Sequence, residues 1–140
     1  MSRGQGRVVA LDPGSVRIGV AVCDSTRSLA FPRQSIAAGD GAVELCIAVV
    51  REEEAGLVVV GHPLQLDGTA GRAAEQAASL AASLRAALHD DGIDVVLHDE
   101  RLTTVTAVGR LREAGVDARG SRGHIDGEAA VVLLESWMAT

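Results

Sequence analysis

Three acidic residues, Asp12, Glu100 and Asp126, stand where an α/β chain presents groups for chemistry. Asp12 ends the apolar run Val8-Val9-Ala10-Leu11 and is followed by Pro13, Gly14 and Ser15, where glycine lets a ligand come close to the backbone. Taken alone, Asp12-Pro13-Gly14 is an ordinary turn. Asp99 and Glu100, however, close a second apolar run, Val95-Val96-Leu97-His98. If the two runs are parallel strands, these acids share the carboxyl edge of the sheet, where open α/β sheets bind their ligands. Asp126 opens the last helical stretch, and by itself would be a helix cap or dipole partner. Its spacing to Ala130 and Leu134 puts it on a small, apolar helix face that should meet the sheet. A carboxylate at the rim of a buried face needs a partner, and a metal ion shared with Asp12 and Glu100 would supply one. Carboxylate oxygens suit Mg²⁺ or Mn²⁺ rather than Zn²⁺, and ions about 4 Å apart are the apparatus of phosphodiester hydrolysis.

The elements that must position these acids can be read from periodicity. Val8–Leu11 is a short buried strand, Ile18–Cys23 a second, and Leu29–Ile36 a weaker third that Pro32 places at an edge. Their tight links predict an antiparallel meander. Val43, Cys46, Ile47 and Val50 then recur at helical spacing, with Asp40 as the expected start cap and Gly56 as the expected end. Leu57–Val60 is a fourth strand, halted at Gly61-His62-Pro63. An alanine-rich helix comes next, its apolar stripe running through Ala73, Ala77, Leu80, Ala81, Leu84 and Leu88 to a stop at Asp91-Gly92. Ile93–His98 is the fifth strand. Thr103 or Thr104 caps a helix reaching Ala114, Gly115 ends it, and a last helix runs from Asp126 to Met138. Strands separated by helices run parallel, with helices covering both faces. The expected fold is therefore α/β: one domain over residues 1–140, with a five-stranded mixed sheet of three meander strands and two parallel ones.

Composition narrows the function. The start, Met1 to Arg7, lacks the apolar core of a secretory signal, and no apolar run approaches the roughly 20 residues needed to span a bilayer. A cytoplasmic protein is expected. Cys23 and Cys46 lie in apolar surroundings without a paired metal spacing, which reads as two small buried hydrophobes and argues against a structural zinc site. A net charge of −6 argues against a broadly basic nucleic-acid surface. Yet all 13 basic residues are arginine, and Arg110, Arg112, Arg119 and Arg122 form a local basic stretch. Arginine favours planar, bidentate phosphate contacts. With Phe31 and Trp137 as its aromatic residues, the chain has little with which to stack bases, so nucleic acid would be held by backbone and shape.

Four blocks carry a family resemblance. Leu11-Asp12-Pro13-Gly14 with Arg17-Ile18-Gly19-Val20-Ala21-Val22, then Gly61-His62-Pro63 with Asp67-Gly68-Thr69, then Asp99-Glu100-Arg101-Leu102-Thr103-Thr104, then Ile125-Asp126 with Ala129-Ala130, together resemble the YqgF (RuvX) family from about Arg7 to Trp137. That family is described as Holliday-junction resolvases and as nucleases maturing the 5′ end of the small-subunit ribosomal RNA precursor. The resemblance implies an RNase H-like fold, a Mg²⁺- or Mn²⁺-dependent endonuclease, and Asp12, Glu100 and Asp126 as catalytic metal ligands. Structured precursor RNA or branched DNA would be the partner, with the oligomeric state open.

Two departures from the family pattern stand out. His62 occupies a position where leucine is usual, and Arg119, Arg122 and His124 replace lysines before the last helix, which keeps phosphate affinity. Arg17, Arg101, Arg119 and Arg122 are the candidate phosphate contacts, although Arg17 and Arg101 could equally form surface ion pairs worth under ~1 kcal/mol. His62 and His98 are weaker candidates, since a loop or strand-end histidine is commonly a bystander. Asp67, Asp99 and Glu128 are candidates for a fourth acid, with Asp67-Gly68 also readable as a plain turn. Glu52-Glu53-Glu54 reads as a solvated helix end. One rival is the same fold binding RNA or a ribosome-assembly partner without cutting. Another is an actin-like phosphotransferase, suggested by Asp12-Pro13-Gly14-Ser15, which would need a second domain to enclose its nucleotide.

Overall fold

The computed structural model describes residues 6–102 and 122–140 and, of 102 and 122–126, the backbone alone. Strands β1 (Val8–Pro13), β2 (Arg17–Cys23) and β3 (Ala30–Ala37) precede helix α1 (Ala42–Glu52). Strand β4 (Leu57–His62), helix α2 (Arg72–Leu88) and strand β5 (Asp94–Asp99) come after it, and helix α3 (Arg122–Met138) is last. Short 3₁₀ turns at His89–Asp91 and Glu100–Leu102 bracket β5.

The five strands form one sheet in the order β3-β2-β1-β4-β5. Short links force antiparallel pairing of β1 with β2 and of β2 with β3, whereas helical crossovers make β1, β4 and β5 parallel. The meander and the two added parallel strands match the expectation from sequence. Pro32 sits on β3, an edge strand, the place in a sheet where proline is tolerated.

Alternation along the strands sorts the core into two layers. Val9, Leu11, Val58 and Val60 pack with Cys46 and Val50 of α1 and with Ala77, Ala81, Leu84 and Leu88 of α2. Val8, Ala10, Ala21 and Val59 face the other way, onto Ala130, Val131, Leu133 and Leu134 of α3. Each fully buried leucine contributes about 1.5–3 kcal/mol. Cys23 and Cys46 are both buried and free.

Several local expectations are corrected. The α2 stripe runs through Ala74, Ala77, Ala81, Leu84 and Leu88, with Ala73 exposed, because the helix rotates its 3-4-3-4 pattern by one residue at its start. Asp40 does not cap α1: the cap position is Gly41, at φ 84°, with no side-chain bond. Nor does Gly56 end that helix. Glu54 takes the left-handed turn at φ 53°, its N–H donating to Arg51 O while Ala55 N–H donates to Val50 O, which closes a Schellman motif without glycine. Gly56 N–H instead donates to Arg7 O, tying the turn to the start of β1.

Glu53 is not solvated either. It is 5% exposed and bridges Arg7 at 2.9 Å and Arg33 at 2.5 Å, so the acidic run joins the end of α1 to the residue before β1 and to β3. Asp126 does not open the last helix; it falls in the second turn of α3, which already runs from Arg122.

Candidate metal centre

Asp12 lies near the carboxyl end of β1, two residues beyond Ala10, and alternation therefore turns it toward α3. Glu100 comes directly after β5 at the same edge. The two carboxyl groups meet in a hydrogen bond. Burial, then that bond, then the charges of Asp12 and Asp99 push the Glu100 carboxyl up to about 9. At neutral pH the pair thus holds one proton between its two carboxyl groups. Like-charged acids sharing one proton are the expected electrostatics of a site built for a cation.

Gly61, on β4 between the two acids, makes the arrangement possible. A Cβ at this position would stand 2.7 Å from Glu100 Cδ and 2.9 Å from its Oε1. The Glu100 carboxyl therefore occupies the space that a side chain here would fill. Gly127 has a similar function in α3: a Cβ there would meet Pro32 Cβ at 3.0 Å, so the helix that carries Asp126 can lie close against β3. Neither glycine stood out from the acidic pattern. The signal was present, since glycine inside a strand or helix marks a close approach. Gly14 is a third case, its Cβ position lying 2.6 Å from the carbonyl oxygen of Arg17 in the β1–β2 turn.

The other candidate residues are spread around this edge. Asp99 belongs to the opposite parity from Glu100 and is held by Arg101, whose Nε reaches Oδ2 at 2.9 Å and Nη2 reaches it at 2.6 Å. That fork holds the Asp99 carboxyl below its usual range and engages the guanidinium proposed for phosphate. His62 also turns away from α3 and lies opposite Asp99 in the β4–β5 register. Asp67 accepts from Thr69 Oγ1 at 2.6 Å and from its backbone N–H, which lowers its pKa. His98 Nε2 bonds Ser136 Oγ of α3 at 2.9 Å, on the Asp12 side of the sheet. Arg17 is exposed at the start of β2. Glu128 is partly buried on α3.

Arg119 lies outside the described residues, as do Thr103, Thr104 and the helix expected to reach Ala114. Of Arg122 and Asp126 the backbone is described, within α3. Among the described residues, no group of three His, Cys, Asp or Glu side chains gathers to hold a metal ion. Asp12 and Glu100 are the two acids that the described side chains bring together. A cleft of about 400 Å³ opens elsewhere, beside the β1–β2 turn, lined by Pro13, Ile18, Val43, Gln76 and Ser79 and holding none of the three acids.

Comparison with known proteins bears on the family and the fold. The family model described as RuvX, Holliday junction resolvase, matches residues 6–140. This chain belongs to the RuvX family. A relative in Rhodococcus erythropolis, named "Putative pre-16S rRNA nuclease", is 47% identical over 96% of this chain and 78% of its own length. A relative of the same name in an Anaeromyxobacter species is 41% identical over 94% of this chain and 96% of its own.

Solved structures extend the RuvX comparison to fold. Thermus thermophilus RuvC, in complex with a Holliday junction substrate, superposes with a TM-score of 0.61 over 97% of this chain and 98% of its own, at 14% identity. The yeast mitochondrial Holliday junction resolvase Ydc2 superposes with a TM-score of 0.61 over 99% of this chain and 80% of its own, at 10% identity. The RuvC-like, RNase H-like architecture is thereby shown. No helix among the described residues is long and apolar enough to cross a membrane.

Proposed function

We propose that this RuvX-family protein is a Mg²⁺- or Mn²⁺-dependent endonuclease that hydrolyses phosphodiester bonds in structured nucleic acid. Its substrate would be the 5′ region of the small-subunit ribosomal RNA precursor, a four-way DNA junction, or both. The observation that carries this reading is the Asp12–Glu100 pair: two carboxyl groups so close that one holds its proton up to about 9. An oxygen-only donor set of this kind fits a hard divalent cation, which would replace the shared proton. Asp126, on the helix packed over the same face, is the proposed third ligand.

The bound cation would acidify a water and offset charge on the scissile phosphate. The chain's own residues then have distinct tasks. Asp12 is fixed by its pairing with Gly19 in the β1–β2 ladder, and the pair must lose its shared proton with Glu100 staying seated over Gly61. Arg17, Arg119 and Arg122 would contact phosphates along the substrate. Arg101, forked onto Asp99, would hold the turn that carries Glu100.

The rival reading, a module that binds RNA or an assembly partner without cutting, does not need an acid pair. Precursor RNA and a four-way junction, each incubated with pure protein with and without Mn²⁺, separate the two. Metal-dependent cleavage that Asp12→Asn abolishes, in a variant that still folds, is the expected result. An unimpaired Asp12→Asn variant would refute the assignment.

A further inference from the structure

His98 stands two residues after Val96 on β5, and Val96 packs in the layer beneath α3, so alternation turns His98 toward α3 as well. Register fixes its neighbours on that face. Gly61 of β4 is the partner of His98, and Asp12 lies one step beyond the Leu11–Val60 pair, level with Gly61. Asp12, Gly61 and His98 therefore form a row across three parallel strands, about 10 Å from end to end.

The middle member of the row has no side chain, and the Glu100 carboxyl fills the space that one would take. On one side of this niche is Asp12, which shares a hydrogen bond with Glu100. His98 stands on the other. A side wall confines its neighbour only if it is itself held, and His98 is: its Nε2 lies 2.9 Å from Ser136 Oγ on α3. Which atom donates depends on the imidazole tautomer. Ser136 is a firm anchor, because Leu133 and Leu134 beside it are fully buried. A hydrogen bond is directional where apolar contact is not, so the bond sets the attitude of the ring as well as its depth.

We propose that His98, pinned by Ser136, is a positioning residue that closes the β5 side of the Gly61 niche and keeps the Glu100 carboxyl against Asp12, where the pair can hold a divalent cation. This rests on the metal-site reading above. Without the wall, the long Glu100 side chain gains room to swing toward β5 and away from Asp12.

The test uses the full chain with two readouts. In crystals of metal-free His98→Ala, the Glu100 carboxyl should leave its place over Gly61. In calorimetric titrations with Mn²⁺, His98→Ala should bind about tenfold more weakly than wild type and Ser136→Ala severalfold more weakly. His98→Gln, whose amide nitrogen can stand where Nε2 stood, should bind nearly as wild type does. Val50→Ala opens a cavity in the opposite core layer. It should melt at a lower temperature yet keep wild-type affinity, which separates positioning from loss of stability. A Glu100 carboxyl that stays over Gly61 in His98→Ala would overturn the proposal, as would wild-type affinity in both His98→Ala and Ser136→Ala. A wild type that binds no Mn²⁺, while His98→Ala still releases the carboxyl, would refute the metal reading and leave the positioning role standing.

Discussion

Glu100 sits in the space that a side chain at Gly61 would take, its Cδ 2.7 Å from where a Cβ would be. Glu100 is a flexible side chain, so the strand can accept a methyl group only by pushing the carboxyl away. Gly61→Ala should therefore fold with a melting temperature within a few degrees of wild type, yet bind Mn²⁺ at least about tenfold more weakly, since small displacements of a ligand degrade a metal site. Calorimetric titration of metal into both proteins measures this. Equal affinity would show that Glu100 is not a ligand.

Metal binding should release a proton. With the Glu100 carboxyl held up to about 9, a cation entering at pH 7 displaces the proton shared with Asp12. Apparent affinity should rise toward tenfold per pH unit below that value. Titrations in buffers of different ionisation enthalpy count the proton released.

The same shift fixes the sign of a stability effect. A carboxyl whose pKa is higher folded than unfolded stabilises fully below its unfolded value of about 4.5, and that contribution is lost as pH rises toward the folded value of about 9. Metal-free protein in EDTA should melt at progressively lower temperature from pH 5 to pH 9. Glu100→Gln should flatten that slope, because its amide does not ionise.

Glu54 holds a left-handed backbone at φ 53° where the closing motif of α1 would favour glycine. Glu54→Gly should raise stability by about 0.5–1 kcal/mol, read as a shift in the urea midpoint. Its neighbour has the opposite sign: Glu53→Ala should lower stability by about 1–2 kcal/mol, discounted because Arg7 and Arg33 are partly exposed.

Burial pushes the Cys46 thiol up to about 11. In the native protein at pH 8 it should react with a thiol reagent far more slowly than after unfolding in urea.

Much of this architecture is written in apolar periodicity. The three-strand meander, the parallel β4 and β5, and the Asp12 and Glu100 positions at one edge can all be read from short apolar runs and their stops. What escaped was set by contacts between distant segments. Glu53 reads as one of three solvated acids until Arg7, just before β1, and Arg33, on β3, are brought to it. Gly61 reads as a strand stop until Glu100, 39 positions later, is laid over it. The ends of α1 went to Gly41 and Glu54 rather than to Asp40 and Gly56, because backbone geometry closed both termini where side-chain chemistry was expected to.

The two-layer alternation of β1 bears on how this gene can change over time. Losing one codon within Val8–Leu11 would invert the parity of every later residue in the strand, turning the carboxylate at position 12 toward α2 and a leucine toward α3. Losing one in the β2–β3 link would alter only a surface bend. Length variation among descendants of this chain should therefore collect in its links and be purged from the inner strands, even where every amino-acid type there is interchangeable.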